Sequence, residues 1–206
     1  VGGMALEESP PDVTHAGLNH GAPVRIRTAT WQARSVEVDI GCGSGEFLCR
    51  SARACPERTF IGIEIATALA VRASQRADDM RLDNVTVFNS EATKVLSNLG
   101  RSSLSAIHIY FPTPYPKTIG LKHCLIRPKF LRSTYLLLEP GGYLQLMTDH
   151  SEYYRSVLKS IRTADLPWRA IPWVNMRSAL SDGFVSTFWE RRATIDRTPY
   201  RLALLK

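Results

Sequence analysis

Three closely spaced glycines and two carboxylates form the first group of residues that could do chemistry. Residues 36–45 read VEVDIGCGSG: a short apolar stretch, an acid at Asp39, and then a G-x-G-x-G turn made by Gly41, Gly43 and Gly45. Glycines let the chain turn tightly and let a ligand approach the main chain. Glu64 closes a second apolar stretch, residues 59–64, where a carboxylate can accept the hydroxyls of a ribose. The pattern predicts a site for a cofactor that carries a nucleoside.

The spacing of the glycines and the position of Asp39 discriminate between cofactors. A dinucleotide site is typically G-x-G-x-x-G, and an acid two residues before the first glycine would repel a pyrophosphate but suits a cationic or amine-bearing ligand. The turn resembles the first motif of S-adenosylmethionine-dependent methyltransferases. That resemblance implies S-adenosylmethionine as the cofactor, with the first acid near its methionine part, the second acid on its ribose and a third acid bordering its adenine. The residues it assigns to the cofactor are Asp39, Gly41, Gly43, Gly45, Glu64, Ile65, Glu91 and Ala92.

The elements that must position these residues alternate along the chain. The patterns predict helices over 47–54, 66–80, 93–99, 129–138 and 152–163, and strands over 36–40, 59–64, 84–88, 104–110 and 143–147. Residues 184–191 and 199–205 are typical of a closing antiparallel pair. This order predicts an α/β, Rossmann-like methyltransferase fold with a mostly parallel sheet and a C-terminal antiparallel hairpin. Residues 1–22 lack periodicity and predict a flexible arm, and residues 23–206 predict a single domain.

Composition and charge limit the cellular compartment and the kinds of partner that we expect for this protein. The chain has a net charge of +7 and no apolar run of membrane-spanning length, and no signal-peptide pattern opens it. The four cysteines lack metal-ligand spacing, so we expect reduced cysteines, no metal and a cytoplasmic protein without a membrane partner. Monomer and homodimer both remain open.

A second group of candidates follows the fourth and fifth predicted strands. The segment 111–117 reads FPTPYPK, in which alternating prolines hold the chain extended, either as a rigid substrate platform or as a plain connector. Thr148 and Asp149 follow a strand, with Tyr153 one helical turn later, and residues 187–190 read TFWE.

Taken together, these motifs resemble the tRNA (guanine-N7)-methyltransferases from about Val36 to the C-terminus. The family patterns are an acid-I-G-x-G-x-G turn, G-I-E, an Asp-Ala pair, F-P-D-P-W-P-K, T-D followed by Tyr, and T-x-F-E. The resemblance places Asp149, Glu190 and Thr113 at the reacting base as catalytic residues. It places Tyr115, Lys117, Tyr153, Thr187, Phe188 and Trp189 on the substrate.

The departures from the family point away from its substrate. Thr113 and Tyr115 replace an Asp and a Trp, Phe188 replaces a Lys, and residues 118–124 read TIGLKHC where the family is strongly basic. Because phosphate contacts dominate affinity for nucleic acids, we expect weak RNA binding. The sequence therefore favours a small fused aromatic heterocycle, purine- or indole-like and in specialised metabolism, as the substrate. A divergent tRNA (guanine-N7)-methyltransferase acting on tRNA is the alternative, and a cofactor-binding subunit without catalysis is a third reading.

Overall fold

Strands and helices alternate along the described residues, which are 35–112, 124–173 and 199–206 of a computed structural model. The strands are β1 (Val36–Ile40), β2 (Thr59–Glu64), β3 (Val85–Asn89), β4 (Leu104–Tyr110), β5 (Leu138–Thr148), β6 (Arg169–Ile171) and β7 (Tyr200–Leu205). The helices are α1 (Glu46–Ala54), α2 (Thr67–Asp79), α3 (Ala92–Leu96), α4 (Pro128–Leu137) and α5 (Ser151–Ala164). The division into an arm and a single domain stays a prediction.

The strands form one sheet in the order β3-β2-β1-β4-β5-β7-β6. The first five are parallel, and β7 runs antiparallel to both β5 and β6. The predicted fold class is confirmed. The strand order reverses direction between β1 and β4, and in open parallel sheets a ligand binds at this point, beyond the carboxyl ends of the strands.

The C-terminal pairing differs in detail from the prediction. Strand β7 pairs along its whole length with β5, and its other neighbour is β6, a strand of three residues that the sequence did not predict. All three residues of β6 are exposed or half-buried, so no apolar alternation marks it. The predicted partner of β7, residues 184–191, lies outside the described residues.

Helices cover the sheet on both faces. One buried cluster lies beneath α3, α4 and α5 and is built on the apolar side chains of β1, β4 and β5. The other lies beneath α1 and α2. The near-continuous apolar strands are those expected of a parallel sheet buried on both faces. No helix in the described segments is long and apolar enough to cross a membrane.

Candidate cofactor and substrate site

The glycine turn after β1 is held by backbone hydrogen bonds and leaves an open cradle. The amide of Gly41 donates to the carbonyl of Ile63 on the neighbouring strand at 2.8 Å. Gly41, Gly43 and Gly45 have φ of 75°, 56° and 74°, a region that L residues rarely adopt. A Cβ added at Gly41 or Gly43 would meet no atom within 4 Å, whereas one at Gly45 would lie 2.9 Å from the Cβ of Ala73. Gly45 therefore lets α1 and α2 approach, and the first two glycines leave space for a ligand.

Glu64 at the end of β2 joins that turn to the start of α2. Its Oε2 accepts from the amide of Gly43 at 3.0 Å, and its Oε1 accepts from the amide of Ala66 at 2.9 Å. The side chain is thereby oriented without a ligand. A carboxylate has roughly four lone-pair sites, so acceptor capacity remains for ribose hydroxyls.

Asn89 supports the same loop and was missed by the sequence analysis. Its Nδ2 donates to the carbonyls of Glu64 and Ile65 at 2.9 and 3.0 Å, and its Oδ1 accepts from Thr67 at 2.9 Å. These bonds fix the chain between β2 and α2. The signal was present in the sequence as a polar residue closing an apolar strand, β3.

Asp39 provides the unusual electrostatics of the site. Asp39 is only 5% exposed. Burial, and secondarily the negative charge of Glu64, raise the pKa of the Asp39 carboxyl from 3.8 to about 8. The two acids therefore form a pair that a bound cation would stabilise in its fully ionised form.

The remaining predicted cofactor residues lie along the same edge of the sheet. Ile65 follows Glu64 and is 68% exposed, an apolar surface beside the loop. Glu91 is the exposed N-cap of α3 and makes no side-chain capping bond, and Ala92 is half-buried against the core. This placement is compatible with contact to an adenine, which stays a prediction.

On the substrate side, the structure describes Asp149 and Tyr153, and it places them differently. Asp149 is exposed just beyond β5, in a turn where the amide of His150 donates to Oγ1 of Thr148 at 3.2 Å. His150 then caps α5, with Nδ1 accepting from the amide of Tyr153 at 3.2 Å. The Tyr153 side chain packs in the core at 2% exposure, and burial raises the pKa of its hydroxyl. Tyr153 thus packs in the core of the described residues, and its contact with the substrate stays a prediction.

Seven predicted site residues lie outside the described residues. They are Thr113, Tyr115, Lys117, Thr187, Phe188, Trp189 and Glu190. Their grouping with Asp149 over one pocket stays a prediction.

Cys42 sits inside the glycine turn but is not poised for nucleophilic chemistry. Burial and the nearby acids Asp39 and Glu64 raise the pKa of its thiol well above 9.0, so the thiol is neutral. Within the described ranges, no group of three His, Cys, Asp or Glu side chains could hold a metal ion.

A buried polar network beside the site was also missed. Glu37 in β1 accepts from Arg58 at 2.6 Å and lies 2.9 Å from Nε2 of His108 in β4. Nδ1 of His108 lies 2.9 Å from the hydroxyl of Tyr110, which donates to Oε1 of Gln145 in β5 at 2.7 Å. The network crosses three neighbouring strands and ends at the carboxyl end of β4. Polar residues inside otherwise apolar strands were its signal in the sequence.

Comparisons with known proteins find similarity to methyltransferases. A family model described as "Putative methyltransferase" matches residues 33–177. A tRNA (guanine-N(7)-)-methyltransferase from Rubrobacter xylanophilus is 32% identical over 84% of this chain and 77% of its own length. One with the same description from Limosilactobacillus fermentum is 29% identical over 84% of this chain and 83% of its own length.

Solved structures share the fold at lower identity. The aminoglycoside resistance methyltransferase NpmB1 is 18% identical with a TM-score of 0.56, covering 85% of this chain and 89% of its own. A SAM dependent methyltransferase from Aquifex aeolicus is 16% identical with a TM-score of 0.55, covering 85% of each chain. At this identity the likeness extends to the fold alone.

Proposed function

Because the chain belongs to the family of the tRNA (guanine-N(7)-)-methyltransferases, S-adenosylmethionine-dependent enzymes, we propose that it methylates N7 of a guanine in tRNA. The observation that carries the proposal is the 32% identity to such an enzyme over 84% of this chain. An alignment over 84% of the chain includes the cofactor turn, residues 111–117 and the strand end at Asp149. It favours tRNA over the small heterocycle that the sequence analysis ranked first, and that ranking is corrected here.

The described residues fit the cofactor. The cradle at Gly41 and Gly43 is open, and Glu64 is already oriented by two backbone amides. We assign the ribose hydroxyls to Glu64, the cationic methionine part to Asp39, and the adenine to the surface formed by Ile65 and Glu91. When bound, S-adenosylmethionine supplies a methyl group that is already activated for transfer.

The protein's task on the substrate side is then positioning and electrostatics. Guanine N7 carries an available lone pair, so its methylation needs no strong base. The ring becomes positively charged as the bond forms, and carboxylates held nearby stabilise that charge. Asp149 is exposed at the carboxyl edge of the sheet, after β5, which neighbours β4, and we assign this role to it together with Glu190.

Departures from the family pattern within residues 111–124 are the unusual feature of the proposed enzyme. Thr113 stands at the position of the family's Asp, and residues 118–124 carry little positive charge. Phosphate contacts must then come from other basic residues of a chain with a net charge of +7. We therefore expect tRNA binding that weakens steeply as salt rises.

The test is methyl transfer from radiolabelled S-adenosylmethionine to bulk tRNA from a strain that lacks this modification. The labelled nucleoside is identified as 7-methylguanosine after digestion, at low and moderate salt. Asp149→Asn should lower kcat by at least tenfold and leave cofactor affinity within about twofold, since its role is on the substrate. Asp165→Asn is the matched control, because Asp165 is exposed at the other end of α5.

Labelled tRNA containing 7-methylguanosine supports the proposal. Cofactor binding without transfer to tRNA at either salt concentration contradicts it, and purine and indole compounds would then be assayed in place of tRNA.

A further inference from the structure

The network through His108 runs from the buried centre of the sheet to Tyr110, at the end of β4. The proline-rich residues 111–117 follow Tyr110 directly in the sequence. His108 and Glu37 are 2% and 1% exposed. The Glu37 carboxylate lies between the Arg58 guanidinium and Nε2 of the His108 imidazole, at 2.6 and 2.9 Å. The Tyr110 hydroxyl then joins Nδ1 to the amide of Gln145.

Aromatic packing fixes the ring of Tyr110 from the cofactor side. Phe47, two residues after the glycine turn, makes edge contacts with Tyr110 at 4.8 Å and with His108 at 5.1 Å between ring centroids. Both the hydroxyl and the ring of Tyr110 are therefore held, by β5 on one side and by α1 on the other.

The next residue is strained. Phe111 has φ of 47°, in the left-handed region, although it is not a glycine. Such a conformation is unfavourable for a residue with a Cβ and persists only where the surroundings hold it. Here its amide donates to the carbonyl of Met147 on β5 at 2.7 Å.

We propose that His108 is a positioning residue: through Tyr110 and Gln145 it holds β4 against β5, so that Phe111 keeps its strained backbone at the end of β4. The position of the Phe111 backbone is a property of the described residues alone. Its consequence for tRNA rests on the proposed function.

Tyr110→Phe is the principal variant, because it removes the hydroxyl and keeps the ring contacts with Phe47. Tyr135→Phe is the matched control, since Tyr135 packs on Trp168 at 4.9 Å, away from the network. The Gln side chain in His108→Gln has polar atoms that could replace part of the hydrogen bonding between Glu37 and Tyr110, whereas the ring in His108→Phe has none. Gln145→Leu removes the other partner of the hydroxyl.

The first measurement is hydrogen exchange of the Phe111 amide. Losing the hydroxyl's contacts with His108 and Gln145 should speed this exchange by about tenfold or more in Tyr110→Phe. The Gly41 amide, which donates to Ile63, should exchange as in the parent. Because Tyr110→Phe removes the hydroxyl's contacts with both His108 and Gln145, whereas Gln145→Leu removes only the second, the double variant should exchange no faster than Tyr110→Phe alone.

The second measurement separates positioning from general stability. In tRNA methyl transfer well below the melting temperature, Tyr110→Phe should raise KM for tRNA several-fold at unchanged cofactor affinity. His108→Gln should recover part of what His108→Phe loses.

Each outcome bears on the proposal. Unchanged exchange at Phe111 in Tyr110→Phe overturns it, as does faster exchange with an unchanged KM for tRNA. If the parent does not methylate tRNA, the proposed function fails, and exchange of the Phe111 amide in His108→Phe, compared with His108→Gln, then decides whether His108 holds Phe111.

Discussion

Cofactor binding should release a proton from Asp39, and this follows from the electrostatics of the site. In the free protein, burial and the charge of Glu64 raise the pKa of Asp39 to about 8. A cationic ligand beside this carboxyl favours its ionised form and lowers that pKa. Binding of the ligand therefore changes the protonation of Asp39, and the number of protons released on binding is the quantity to measure.

The expected magnitude depends on the difference between pKa and pH. One unit corresponds to a factor of ten, so at pH 7 about nine in ten free molecules carry the proton on Asp39. If binding ionises the carboxyl fully, about 0.9 protons leave per bound ligand at pH 7. Near pH 9 the number should fall to about 0.1. Ionising Asp39 at pH 7 costs about 1.4 kcal/mol, so affinity should be about tenfold lower than with a pre-ionised acid.

The assay is titration calorimetry of S-adenosylmethionine in buffers of different ionisation enthalpy at one pH. The cofactor's own amino group also titrates in this range, so the decisive number is the difference between the parent and Asp39→Asn. Asp79→Asn, at an exposed position ending α2, is the control and should match the parent. A difference below about 0.2 protons at pH 7 would refute the reasoning about Asp39.

Three further outcomes are expected. Because folding raises the pKa of Asp39, the stability that its protonated form contributes is full below about pH 4 and is lost as pH rises toward 8. Asp39→Asn should therefore raise the melting temperature by an amount that increases from pH 5 to pH 9. Calorimetric scans without ligand measure this difference. Gly45→Ala adds a Cβ 2.9 Å from that of Ala73 and should lower the free energy of unfolding in urea by about 2–4 kcal/mol, more than Gly41→Ala in open space, whose main effect should be on cofactor affinity. Glu64→Gln replaces an acceptor of two amides and should weaken cofactor binding by about 1–3 kcal/mol in calorimetry, and equal affinity would show that the carboxylate is not a ligand.

Much of the scaffold could be predicted from local patterns. Residues 36–40 and 59–64 are short stretches rich in Val, Ile and Phe, and each is followed by a helical pattern, so a parallel sheet was the expected arrangement. The glycine spacing and Asp39 identified the kind of cofactor, because backbone conformation and charge are local properties. The substrate was ranked wrongly, since departures in one loop were weighed above similarity along most of the chain.

The remaining features depended on which strands become neighbours. Residue order alone indicates neither that Glu64 would accept the amides of Gly43 and Ala66, nor that Asp39 would be close enough to Glu64 for its pKa to rise. Tyr153 matched a motif, yet helix packing turned it into the core.

The network joining Glu37 to His108 spans 71 positions of sequence and exists only because β1 pairs with β4. The sequence by itself determined most of the helices and strands, the glycine turn and the family, since these follow from short-range pattern and composition. Only the tertiary structure decided the proton affinity of Asp39 and the bonds that hold the end of β4, because burial and hydrogen-bond partners come from segments that sheet register brings together.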